Sequence, residues 1–186
     1  MRILTLIGAL AVVVGVAATV FFFGGFYSVA GTQEDRAIVH WALVQVRTAS
    51  INRHAHDAAP ATINDAKTIQ AGAREFAEHG CTNCHGGPGV AWGKFSEGLR
   101  PDPPDLKDVV VERTPSQLFW VIKNGINMTG MPSFALAGAK DEDIWAIVAF
   151  LKKLPTVTEA DYKAWTAPPP TPLGIAPDAG ASPAAK

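Results

Sequence analysis

The two cysteines of the chain lie three positions apart, in the segment Cys81-Thr82-Asn83-Cys84-His85, and a histidine follows the second. This C-x-x-C-H pattern is typical of the covalent attachment of a c-type haem. One helical turn sets the two sulfurs at about the separation of the porphyrin vinyl groups, and His85 is then held beneath the iron as its proximal ligand. The motif predicts one haem c bound through Cys81 and Cys84.

Three other interpretations of this motif remain. A disulfide or thioredoxin-like pair expects a strand-helix-strand context, whereas the flanks here are helical before and glycine-rich after. A zinc site would use the same three side chains with His79, but no second ligand pair stands at the usual spacing. Two inert cysteines would make the spacing a coincidence. We favour the haem because the spacing matches a specific chemistry.

A second iron ligand is expected in residues 126–134, which hold both internal methionines. A thioether is one of the usual sixth ligands of a c-type haem iron. We expect Met131 rather than Met128, because Gly130 lets the backbone approach the ring and Pro132 fixes it. The alternative, that both methionines fill core space, is the commoner fate of methionine. It is disfavoured here because the predicted haem needs a ligand on its other face.

Three segments show the apolar spacing of amphipathic helices and are expected to position these ligands: residues 65–78, 115–124 and 141–154. The second begins with a Thr-Pro-Ser-Gln capping sequence and ends at Asn-Gly. The third has acidic residues at its start and lysines at its end. Residues 86–108 lack periodicity and predict a long ordered loop against one face of the haem.

Gly72 lies on the apolar face of the first of these helices, next to Ala73 and Phe76. Glycine lowers helix propensity, so its presence indicates either a close crossing with another helix or a neutral surface position. The pattern alone leaves both explanations open.

Residues 3–23 are apolar except for two threonines. As a helix they would cover roughly 32 Å, against a hydrocarbon core of about 30 Å. A cleaved signal peptide is the alternative, because residues 28–30 resemble a small-x-small cleavage site. We favour a retained anchor, since the run is longer than a usual signal core and aromatic residues follow it. Arg2, the only charge before Glu34, predicts a cytoplasmic N-terminus and a periplasmic haem motif, the compartment that covalent haem attachment requires in bacteria.

The chain is therefore divided into four parts. Residues 28–60 include a moderately amphipathic helical pattern between about 34 and 56, which we interpret as a stalk packed on the haem domain rather than a docking helix for a membrane partner. Residues from 157 onward, mostly Pro and Ala after 167, predict a disordered tail. The predicted parts are the anchor or signal peptide 1–27, the stalk 28–60, the haem domain 61–156 and the tail 157–186.

Composition adds little about partners. With 186 residues, 48% hydrophobic content and a net charge of -1, the chain describes one modest domain plus appendages. It has no basic excess for nucleic acid and no dinucleotide or Walker fingerprint. No small-molecule substrate is expected.

Residues 65–155 resemble a class I monohaem cytochrome c domain, of the kind found in membrane-anchored bacterial cytochromes c. Residues 129–134 match the family's T-G-M-P-x-F signature, and Pro104-Asp105-Leu106 fits its P-x-L element. The resemblance implies an all-α fold of three to four helices around one haem c, here preceded by the anchor and the stalk. It implies Met131 as axial ligand, and Pro104 and Leu106 as support for the histidine side, with the Pro104 carbonyl accepting the His85 ring proton.

The resemblance implies electron transfer between a redox-protein donor and acceptor at the bacterial inner membrane, without catalysis. With His85 and Met131 on the iron, no position is open for oxygen or peroxide. A ligand-binding or peroxidatic cytochrome is therefore disfavoured. A dedicated haem c subunit of a larger membrane oxidoreductase remains the alternative to a free carrier. Phe150 stands where many members carry tyrosine, and we expect only a small packing change there.

Overall fold

The computed structural model describes residues 2–168. Within that range the fold is all-helical, without a β-strand, and begins with an apolar helix, as the sequence predicted. Short 3-10 helices cover Ala61–Asn64, Lys94–Gly98 and Leu154–Thr156. The α-helices are α1 (Arg2–Phe23), α2 (Ala37–His54), α3 (Ala66–Glu78), α4 (Cys81–His85), α5 (Leu106–Glu112), α6 (Pro115–Asn124), α7 (Asp141–Lys153) and α8 (Glu159–Thr166).

Helix α1 buries none of its 22 residues and contains no acidic side chain. Its most apolar window has a mean hydropathy of 2.6, so it is long and apolar enough to cross a membrane. A signal sequence near an N-terminus has the same properties.

The centre of the fold is the crossing of α3 and α7. A Cβ atom at Gly72 would lie 1.8 Å from the carbonyl oxygen of Ala146 on α7, so the two backbones meet directly at this point. Next to the crossing the rings of Phe76 and Phe150 pack with centroids 5.3 Å apart. Of the two explanations for Gly72, the close helix crossing is confirmed.

Helices α5 and α6 complete the layer around α7. Trp145 of α7 stacks on Phe119 of α6 with ring centroids 4.1 Å apart. The Nζ atom of Lys152 donates to the carbonyl oxygens of Val110 at 2.6 Å and Arg113 at 3.0 Å, which ties the end of α5 to α7. Helix α5 begins at Leu106, within the segment predicted to be a loop.

The predicted start of the disordered tail at residue 157 is wrong, because α8 follows directly. Thr158 and Asp161 form a capping box at its start, and the ring of Tyr162 stacks on Phe150 with centroids 5.6 Å apart. An apolar stripe of Tyr162 and Trp165, one helical turn apart, gives this short segment enough surface to bury. The rest of the predicted tail, residues 169–186, lies outside the described residues.

Helix α2 contacts the domain through its C-terminal end. Ile51 is its only buried residue, Asn52 Oδ1 accepts a hydrogen bond from Gln117 Nε2 at 2.8 Å, and the ring of His54 stacks on Trp120. The part of α2 before Ile51 instead exposes apolar side chains, with Ile38, Trp41 and Val46 each more than half exposed. This helix therefore joins the domain at one end only.

Candidate haem-attachment site

The C-x-x-C-H motif forms a single helical turn, α4, between two glycines. Gly80 before it has φ 72° and Gly86 after it has φ 66°, left-handed conformations that favour glycine. These glycines let the chain leave α3, make one turn and turn away again. Both cysteines are unpaired and partly buried.

The electrostatics of Cys81 distinguish this turn from a redox-active dithiol. Burial raises the pKa of Cys81 to about 12; a backbone hydrogen bond acts in the opposite direction, and Cys84 makes a smaller contribution that raises the pKa. A thioredoxin-like site depends on a thiol whose pKa is lowered. In the described part of the chain, no group of three or more His, Cys, Asp or Glu side chains is arranged to hold a metal ion. The raised pKa of the buried Cys81 thiol disfavours the dithiol interpretation.

His85 is held by the segment that precedes α5. Its Nδ1 atom lies 3.0 Å from the carbonyl oxygen of Pro104. If Nδ1 carries the proton, the ring donates to this carbonyl, and Nε2 keeps a free lone pair for a metal. Burial lowers the pKa of His85, while the hydrogen bond with Pro104 acts in the opposite direction. The neutral ring that results is the form that metal ligation requires.

A cavity of about 300 Å³ lies beside the second half of the motif. Cys84 and His85 line it from one side, and Trp92, Pro103 and Pro104 line it from the following loop. Met131 is not among the residues that line this cavity.

The two methionines of the loop after α6 differ in burial. Met128 is 84% exposed, whereas Met131 is partly buried against the core. The Met131 amide donates to Thr129 Oγ1 at 3.1 Å, and the Met131 carbonyl accepts from the Ile126 amide at 3.1 Å. Gly125 allows this return of the chain, because a Cβ there would lie 2.6 Å from the backbone of Pro132. Of the two, Met131 is the one that packs against the core.

The residues predicted for the site fall into two groups joined by α4. Cys84, His85 and Pro104 share the cavity, while Cys81, Leu106 and Met131 border one buried core. Two thiols one helical turn apart, an oriented imidazole and an apolar border fit a covalently bound haem. Sequence reasoning missed α8, which contacts this region; the Thr-x-x-Asp capping pattern at 158–161 was the signal for it.

The all-helical fold and the C-x-x-C-H turn are consistent with a class I cytochrome c domain. Residues 67–151 match the protein-family model described as cytochrome C oxidase, cbb3-type, subunit III, and this region is similar to class I monohaem cytochrome c domains. Such a domain implies haem c binding and electron transfer with redox-protein partners. No curated protein and no solved structure gives a significant match to the chain.

Proposed function

We propose that the protein is a membrane-anchored, periplasmic monohaem cytochrome c that carries single electrons between respiratory or dehydrogenase partners. Cys81 and Cys84 would hold one haem c by thioether bonds, with His85 and Met131 as the axial ligands. The observation that carries this proposal is the placement of the His85 ring, whose Nδ1 lies 3.0 Å from the Pro104 carbonyl oxygen. When bound, the haem supplies an iron that alternates between the ferrous and ferric states.

The residues of the chain account for a carrier rather than a catalyst. The Pro104 carbonyl fixes the orientation of His85 and makes its free nitrogen, Nε2, a stronger ligand for a metal. Met131 would add a neutral thioether, which favours the reduced iron and raises the potential. With His85 and Met131 both bound to the iron, no position would be open to a small molecule.

Covalent attachment is tested by the mass of the purified protein after denaturation. We expect one haem to remain on the chain, and a stepwise loss of attachment in Cys81→Ser, Cys84→Ser and the double variant. Asn83→Ser, between the two cysteines, is the matched control and should retain the haem. Complete extraction of the haem by acidic solvent from the unmodified chain would contradict the proposal.

The membrane anchor is proposed from α1. Its 22 residues expose their apolar side chains, and α1 precedes a domain whose predicted chemistry belongs outside the cytoplasm. We expect the mature protein to keep its N-terminus and to stay in the inner-membrane fraction through an alkaline carbonate wash. A soluble periplasmic protein beginning near residue 31 would show that α1 is a cleaved signal peptide.

A haem subunit of a larger membrane oxidoreductase is the second candidate, favoured by the exposed apolar side chains of α2 before Ile51. Ile38 is 66% exposed, Trp41 59% and Val46 68%, an unusual surface for a helix that contacts only solvent. The matching family model also describes an oxidase subunit. Native mass spectrometry after mild detergent extraction separates the two functions. A free carrier gives one chain plus one haem, whereas a subunit gives a larger assembly that Trp41→Ala weakens.

A further inference from the structure

The segment 93–100 connects the attachment turn α4 with the loop that follows α6. The amide of its first residue donates to the carbonyl oxygen of Asn83, within α4, at 2.7 Å. Near its other end the side chain of Leu99 packs on Gly130, where an added Cβ would lie 2.9 Å from Leu99 Cδ1 and 3.1 Å from Cδ2. Gly130 directly precedes Met131. The segment therefore bridges the two parts of the chain that carry the proposed iron ligands.

Hydrogen bonds within this segment hold its two ends in a fixed relation. Ser96 is 3% exposed, and its hydroxyl and its amide both donate to the carbonyl oxygen of Gly93, at 2.8 and 3.0 Å. The amide of Leu99 donates to the Ser96 carbonyl oxygen at 3.1 Å. Arg100 Nη1 donates to the carbonyl oxygens of Leu99 at 2.8 Å and Glu97 at 3.1 Å. The position of Leu99 is thus set by its own segment.

The contact with Leu99 is what a side chain at residue 130 would meet. The three heavy atoms nearest to a Cβ at Gly130 all belong to Leu99. Gly130 is not among the glycines with a positive φ, so its backbone conformation is open to other residues. The sequence suggested that this glycine lets the backbone approach the haem ring. In the structure it is a leucine side chain that lies over it.

We propose that Leu99 is a positioning residue for the second axial ligand: by packing on Gly130 it holds the backbone next to Met131 and favours the state in which this thioether is bound to the iron. The inference rests on the proposed ligation by Met131. Leu99 acts here through the backbone of the Met131 loop, without a contact of its own to the iron. When Met131 is detached, the sixth position is open to an outside base.

Titration of the ferric, full-length holoprotein with imidazole measures the fraction of chains with Met131 detached. Imidazole binds the iron only in that state, so its apparent affinity rises in proportion to the fraction. Leu99→Ala removes most of a partly buried side chain and should raise the apparent affinity roughly three- to tenfold. Leu99→Ile keeps the volume and should lie closer to the unmodified protein. Leu136→Ala, at a 92% exposed leucine in the same loop, is the matched control and should change nothing.

A double-mutant cycle with Gly130→Ala tests whether Leu99 itself is responsible. In the presence of Leu99 the added methyl group would meet the end of its side chain, and the imidazole affinity should rise roughly fivefold. In the Leu99→Ala background that contact is gone, so Gly130→Ala should have little further effect. Equal effects of Gly130→Ala in the two backgrounds, or none in either, would overturn the proposal.

A lower unfolding temperature of Leu99→Ala with an unchanged imidazole affinity would reduce Leu99 to a packing role, and would also overturn the proposal. The proposed function fails in a different way. If the unmodified protein and Met131→Ala bind imidazole equally, Met131 is not the iron ligand. Because Met131→Ala is measured with Leu99 in place, the two failures are distinguishable.

Discussion

Replacing Gly72 with alanine should destabilise the domain at its central helix crossing. The added Cβ would stand 1.8 Å from the carbonyl oxygen of Ala146 and 2.4 Å from its carbonyl carbon, where ordinary contact begins at 3.4 Å. Both atoms belong to the backbone of α7, so no side-chain rotation relieves the clash. Helices α3 and α7 would have to separate by about 1.5 Å, a large shift for a close-packed interior. The neighbouring pair of Phe76 and Phe150 would lose contact.

The size of the effect follows from two opposing contributions. Overpacking a core costs typically about 1–3 kcal/mol, and a backbone clash belongs at the upper end of that range. Alanine stabilises the helix by about 1 kcal/mol relative to glycine, because its helix propensity is higher. We therefore expect a net loss of about 2 kcal/mol for Gly72→Ala. For a domain of this size, that corresponds to a fall in melting temperature of roughly 8–16 °C.

Thermal unfolding of the full-length holoprotein, followed by far-ultraviolet circular dichroism, measures this loss. Gly98→Ala is the matched control, because a Cβ at that position meets no atom within 4 Å. It should stay within about 0.5 kcal/mol of the unmodified protein. Equal melting temperatures for Gly72→Ala and Gly98→Ala would refute the close crossing.

Two further predictions concern the iron ligand and the tie between α5 and α7. Met131→Ala should open the sixth coordination position, so that carbon monoxide binds to most of the reduced protein. The control variant Met128→Ala, at an 84% exposed residue, should bind no carbon monoxide. Carbon monoxide difference spectra measure both variants, and equal binding would exclude Met131 as the specific ligand. Lys152→Met removes the hydrogen-bond donor to Val110 and Arg113 but keeps the aliphatic stem. It should lower the free energy of unfolding, measured by chemical denaturation, by about 1–2 kcal/mol. Lys153→Met is the control, and equal denaturation midpoints for the two variants would show that these hydrogen bonds contribute nothing to stability.

Much of the fold could be predicted from local patterns in the sequence. The helices that became α3, α6 and α7 each carry an apolar stripe and clear end signals, such as the Thr114 and Gln117 capping box. The preference for Met131 over Met128 came from the neighbouring glycine and proline, and the structure also separates the two by burial. The His85 interpretation depended on a short motif with a specific chemistry. These are all signals within a few residues of one another.

The remaining features depend on contacts between distant segments. Helix α8 has few apolar residues, and Tyr162 becomes buried only because Phe150 and Gly87 lie beside it in the fold. The two explanations for Gly72 could not be separated until Ala146 was placed opposite it. The exposed face of α2 could not be predicted either, because an apolar helix pattern does not show which of its side chains are buried.

The most direct test of the proposed function is the absorption spectrum of the purified, reduced full-length protein with and without carbon monoxide. We predict the spectrum of a covalently bound c-type haem, unchanged by the gas, because the proposed ligands His85 and Met131 would occupy both axial positions of the iron. A clear carbon monoxide shift would contradict the assignment of two protein ligands and would indicate a ligand-binding or peroxidatic cytochrome. A spectrum without haem would contradict the central claim about Cys81, Cys84 and His85.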